Sequence, residues 1–126
     1  MADVAAVIYI VLAGATAIFQ LALAAGAPWG EVSMGGRFPG RYPAPMRLAA
    51  VAFALLIAAM AAVVAARAGL AFDSWYETSR WLVWVVVAYS VIGLLMNLAT
   101  PSKRERAIWA PVTTVMLVTS LIVALG

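Results

Sequence analysis

Glu31 and Glu105, with the arginines that accompany each, are the residues of this 126-residue chain best equipped for chemistry. Glu31 is followed by Arg37 and Arg41, and Glu105 lies between Arg104 and Arg106. A carboxylate beside guanidinium groups can act as an acid, anchor an ion pair, or frame a site for an anion gripped by the guanidinium forks. For Glu31 the favoured role is an ion pair that pins its own loop. The glycines around Arg37 add free N–H groups that suit phosphate or carboxylate. The same arginines also serve as topology signals resting on anionic headgroups. No Walker or dinucleotide-binding spacing occurs, so nucleotide binding is not implied.

Cys and His are both absent. That excludes thiolate nucleophiles, thiolate or imidazole metal sites and imidazole acid–base chemistry. No cofactor and no metal are expected. Catalysis would rest on Glu31, Glu105, Tyr and Arg in no recognised motif, so a binding role is expected ahead of an enzymatic one. The net charge of +3 is too small to suggest nucleic acid as a partner.

The elements that must position these residues are apolar. Four stretches without Asp, Glu, Lys or Arg run Val4–Ala25, Leu48–Ala66, Trp81–Ala99 and Ala107–Gly126. At about 1.5 Å per residue, some 20 helical residues match the roughly 30 Å hydrocarbon core. The hydrophobic fraction of 67% and mean hydropathy of +1.06 lie outside the range of soluble domains. The expected fold is an all-α membrane protein: one domain, a bundle of four transmembrane helices near 4–25, 46–67, 76–99 and 103–125. The apolar run at the N-terminus carries Asp3 and no basic residue, so it reads as a retained helix rather than a cleaved signal.

Charge placement orients the bundle. Arg37, Arg41, Arg47, Lys103, Arg104 and Arg106 fall on one side, and only Arg67 and Arg80 on the other. Basic loops stay in the cytoplasm, which predicts both termini outside and the first and third loops inside, in a bacterial inner membrane. Trp75, Tyr76, Trp81 and Trp84 would mark the outer interface, and Trp29, Tyr42 and Trp109 the inner one.

Gly26–Pro43 reads as a long Gly/Pro-rich loop, kept amphipathic by Trp29, Met34, Phe38 and Tyr42 and folded back on the inner face. Ser102–Glu105 and Ser74–Glu77 both fit the S-x-x-E capping box at a helix start. Ala50, Ala54, Ala58, Ala62 and Ala66 recur every four residues, a small-residue face for helix packing within the bundle or against a second copy. Polar or small stripes run along the other helices: Tyr9–Ala13–Thr16–Gln20, Tyr89–Gly93–Asn97, and Thr113 with Ser120. These should face the interior.

Topology brings the chemistry together. Gln20, Asn97 and Thr113 belong to the cytoplasmic half, next to both loops. The candidate ligand-binding set is therefore Gln20, Trp29, Glu31, Arg37, Arg41, Asn97, Glu105, Arg106 and Trp109, around a vestibule polar at its base and basic at its rim. Contact between the first and third loops is the geometry this requires.

Gly26-Ala27-Pro28-Trp29-Gly30, Gly35-Gly36-Arg37, Glu105-Arg106 and Trp109-Ala110-Pro111-Val112 together resemble the pattern of small four-helix bacterial integral membrane proteins of unassigned function. The resemblance implies no activity. The expected partners are membrane lipids, anionic ones above all, with a homo-oligomer or a larger membrane complex as the assembly. The expected role is binding of a lipid headgroup or small anionic ligand, or that of an accessory subunit. An oligomeric channel or facilitator is the alternative. A proton-coupled pump is disfavoured, because no ionisable residue lies mid-span.

Overall fold

Glycine and proline punctuate the chain into four helices. The computed structural model describes residues 1–126 and contains α1 (Ala2–Ala25), α2 (Ala44–Arg67), α3 (Tyr76–Ala99) and α4 (Lys103–Leu125), with no strands. All four are long and apolar enough to cross a membrane, and the chain is an all-α integral membrane protein.

Local chemistry explains the boundaries. α1 ends on Gly26 at φ 105°, where the N–H groups of Gly26 and Ala27 return to Leu23 and Ala22 O at 3.1 and 2.9 Å. This paired turn satisfies carbonyls that the helix leaves open, and its left-handed residue suits glycine. α2 closes the same way at Gly69, with Gly69 and Leu70 N–H on Ala66 and Ala65 O at 3.1 and 2.9 Å. At its start Pro43 and Pro45 sit where a missing N–H costs nothing.

The two expected capping boxes come out differently. Ser102 Oγ accepts the Glu105 N–H at 3.2 Å, but the Glu105 carboxylate does not return to Ser102 and reaches away into the α1–α2 linker. At the other site no box forms. Asp73–Trp75 is a 3-10 turn, so Ser74 lies too early to cap α3, which starts at Tyr76. Glu77 instead faces Arg80 at 3.6 Å on the surface.

The connection between α1 and α2 is not the open loop its glycines and prolines imply. Two 3-10 turns, Gly30–Val32 and Met34–Gly36, fold it into a short linker. Met34, Gly35 and Gly36 all have positive φ (51°, 68° and 77°), a turn that glycine adopts freely and that strains only Met34. Gly30 N–H donates to Gly40 O at 2.9 Å. A Cβ at Gly30 would overlap Phe38 O and lie 2.7 Å from Gly40 O, so only glycine fits there.

Consecutive helices are antiparallel neighbours in a ring, with α4 closing against α1 and α2 approaching α4 across the centre. Two apolar cores result. The larger includes Ala5, Ala6, Tyr9, Val64, Val83 and Val123. The smaller, at the linker end, joins Leu23, Tyr42 and Ala50.

The four-residue alanine ridge follows this packing only in part. Ala50, Ala54 and Ala66 are buried, Ala62 is half-buried and Ala58 is exposed. Steps of four advance about 40° round a 3.6-residue helix, so the ridge drifts off the inward face. That face continues instead through Ile57, Met60 and Val64.

Candidate functional site

The helices meet closely at the end holding the termini, where small side chains cross. Toward the linker a cavity of about 580 Å³ opens among all four helices, with Phe19, Phe53, Tyr89, Met96 and Trp109 on its walls. That is the size range of small-molecule sites. It extends from Tyr9 to Gln20, about 16 Å along α1 at 1.5 Å per residue. Val32–Gly35 and Arg37 of the linker close its end.

The linker is held there by the α3–α4 turn. Glu105, only 5% exposed, accepts the Gly35 N–H on Oε2 at 3.0 Å. Ser102 Oγ donates to Glu31 O at 2.9 Å, and Trp109 Nε1–H donates to Val32 O at 2.9 Å. Glu31 pairs with Arg104 at the surface. The first and third loops therefore touch, and Glu31 finds its partner across them rather than in Arg37 or Arg41.

Two aromatic residues assigned to an interfacial belt have other tasks. Tyr42 is buried and donates to Ser33 Oγ at 2.7 Å. Its burial raises the phenol above its ordinary value, opposed by the Ser33 hydrogen bond and reinforced by the charge of Glu105. Trp109 meets Phe19 edge-on with ring centroids 4.8 Å apart. Trp29 remains at the surface, stacked on Phe19 at 6.1 Å.

Of the nine residues expected to form a ligand site, Gln20, Arg37, Asn97, Glu105 and Trp109 line the cavity. Trp29, Glu31, Arg41 and Arg106 do not. Arg106 turns to the end of α3, where it donates to Thr100 O at 3.0 Å. Asn97 donates to Gly93 O at 2.8 Å in its own helix. Sequence reasoning placed Tyr9 and Tyr89 on inward stripes but outside the site, and both are on the cavity wall. Tyr9 is fully buried, and its hydroxyl has no hydrogen-bond partner.

No protein-family model, curated protein or solved structure matches this chain. The site must speak for itself.

Its walls are mostly apolar, with Ser33, Arg37, Thr100 and Glu105 at the linker end and Tyr9, Tyr89 and Ser90 at the other. Part of the α3 wall is built from outward residues: Ile92 and Met96 line the cavity and are 57% and 65% exposed. Both lie within a helix long and apolar enough to cross a membrane. No group of His, Cys, Asp or Glu is arranged to hold a metal ion.

Proposed function

We propose that this protein binds a membrane lipid, with the headgroup at the linker end and the hydrocarbon chain running through the cavity and out past Ile92 and Met96. The cavity carries this reading, because it joins polar groups at the linker end to an apolar wall whose Ile92 and Met96 are exposed on a helix long enough to span a membrane. A site for a small soluble anion has no use for the apolar side.

The basic residues fit the same arrangement. Arg37, Arg41, Arg47, Lys103, Arg104 and Arg106 gather at the linker end, in the position where they attract lipid phosphate at about 1 kcal/mol each. In this reading the linker end faces the cytoplasm and both termini face outward.

Gly93 provides the test. It lines the cavity, and a Cβ added there meets nothing within 4 Å. Gly93→Leu should fill the space without disturbing the helices. Native mass spectrometry of wild type released gently from its membrane should show a bound lipid that the variant has lost, at a similar melting temperature. Equal lipid content in both proteins would defeat the proposal. An apo wild type of fixed stoichiometry would favour a channel, with the exposed Ala58 on the oligomer interface.

A further inference from the structure

Arg37 and Glu105 carry opposite charges on the wall of one cavity, yet they do not pair with each other. Glu105 is more than nine-tenths buried and receives one protein hydrogen bond, from Gly35 to Oε2. No protein donor reaches Oε1. Arg37 has no carboxylate partner and no side-chain hydrogen bond, although the turn that presents it is the one Glu105 fixes. Of the other basic residues at this end, Arg104 is engaged by Glu31, Arg106 by Thr100 and Arg47 by Tyr42, and the unpaired Arg41 and Lys103 do not line the cavity.

A buried carboxylate is costly unless a cation or several donors answer it. The first turn of α4 contributes the positive end of a helix dipole, which answers part of that charge. Trp109, one turn further on, lines the same cavity, and an indole is the ring that best attracts ammonium groups. The guanidinium of Arg37 offers a fork suited to phosphate. A buried anion beside an aromatic ring, with an unpaired cation at the rim, makes a receptor for a molecule that carries both charges.

We infer that the cavity selects a zwitterionic headgroup of the phosphoethanolamine type, with its phosphate on Arg37 and its primary ammonium on Glu105 Oε1. This rests on the lipid-binding reading above and specifies the lipid. A primary ammonium suits the site better than a quaternary one, because it can donate a hydrogen bond to the free carboxylate oxygen. A glycerol headgroup can reach Arg37 but brings no charge to Glu105.

The experiment uses the whole protein in mild detergent, offered equal amounts of phosphatidylethanolamine, phosphatidylglycerol and phosphatidylcholine, with bound lipid counted by native mass spectrometry. Wild type should retain phosphatidylethanolamine about tenfold over the other two, the effect of one charge-assisted hydrogen bond. Glu105→Gln keeps an oxygen for the Gly35 N–H and should erase that preference while lipid still binds. Arg37→Gln, at an exposed position, should weaken phosphatidylethanolamine and phosphatidylglycerol alike.

Equal retention of the three lipids by wild type, or an unchanged preference in Glu105→Gln, would overturn the headgroup assignment and leave lipid binding standing. No retained lipid in any arm would remove both. Soluble O-phosphoethanolamine, added as competitor, should fail to displace the lipid. Displacement at matching concentration would show that the hydrocarbon chain plays no part and would overturn the lipid as its source.

Discussion

The two ends of the bundle are closed in opposite ways. At the end holding the termini the helices seal themselves: Ala5, Ala6, Val64, Val83 and Val123 pack directly, and Arg67 donates to Ala124 O at 3.4 Å. At the other end only a small core of Leu23, Tyr42 and Ala50 forms, a cavity with aromatic residues on its walls lies among the helices, and the folded linker covers it. The contrast teaches what small residues do in a membrane. Where they line the crossing, van der Waals contact closes the bundle unaided. Where bulk replaces them, a cavity forms and its stability passes to a few named hydrogen bonds.

Substitutions made in matched pairs can break or sharpen that comparison. Gly30→Ala at the linker end and Gly69→Ala at the other should differ most. The first forces a Cβ into Phe38 O and should cost about 3 kcal/mol, as an overpacked site does. The second meets open space and bears only its positive φ, about 1 kcal/mol. Thermal melts in detergent would read both, and equal losses would erase the distinction.

Next come the two glutamates. Glu105→Ala leaves the Gly35 N–H without its acceptor and should cost about 2 kcal/mol. Glu77→Ala, exposed at the far end, should change the melt by less than about 0.5 kcal/mol.

Alkaline pH should loosen the linker end selectively. The Tyr42 phenol ionises at higher pH in the folded protein than in the unfolded chain, so its contribution is fully present below about pH 10. That contribution disappears as pH climbs through the raised native value. The melting difference between wild type and Tyr42→Phe should therefore shrink in strong alkali, and a constant difference would exclude Tyr42 as its source.

The smallest effects belong to the surface ion pairs. Neutralising Arg104 or Arg80 should cost about 0.5 kcal/mol or less, since all four partners are well exposed. High salt should mask even that.

The sequence makes the four spans legible because burial in lipid leaves long uncharged runs, and no tertiary knowledge is needed to find them. Glu105 and Arg37 were legible as well, since charged residues beside a span have few places to go. The outward wall was not. Ile92, Met96 and Phe53 are ordinary lipid-facing residues by type, and only the separation of the helices turns them into a cavity wall. Tyr9 left a signal in its seven- and eleven-residue spacing to Thr16 and Gln20, but that pattern does not separate a packing stripe from a cavity lining. Trp29, Arg41 and Arg106 look equivalent by type to Trp109 and Arg37, and only the fold of the linker and the phase of α4 decide which of them reach the cavity wall.

The linker also imposes an order in time. Its anchors in the second half of the chain, Glu105 to Gly35 and Trp109 to Val32, lie 70 and 77 residues further along. The ribosome therefore makes the plug long before its socket. Until Ser102–Trp109 emerges, Gly26–Pro43 has only its own turns and its contacts with the first two helices to hold it, among them Tyr42 against Leu23 and Ala50 and Trp29 on Phe19. Chains stalled before Ser102 should be cut by protease within the linker, and chains stalled well beyond Trp109 should be spared. Closure of the cavity is thus among the last acts of assembly, because α3 and α4, which supply two of its walls, are made last.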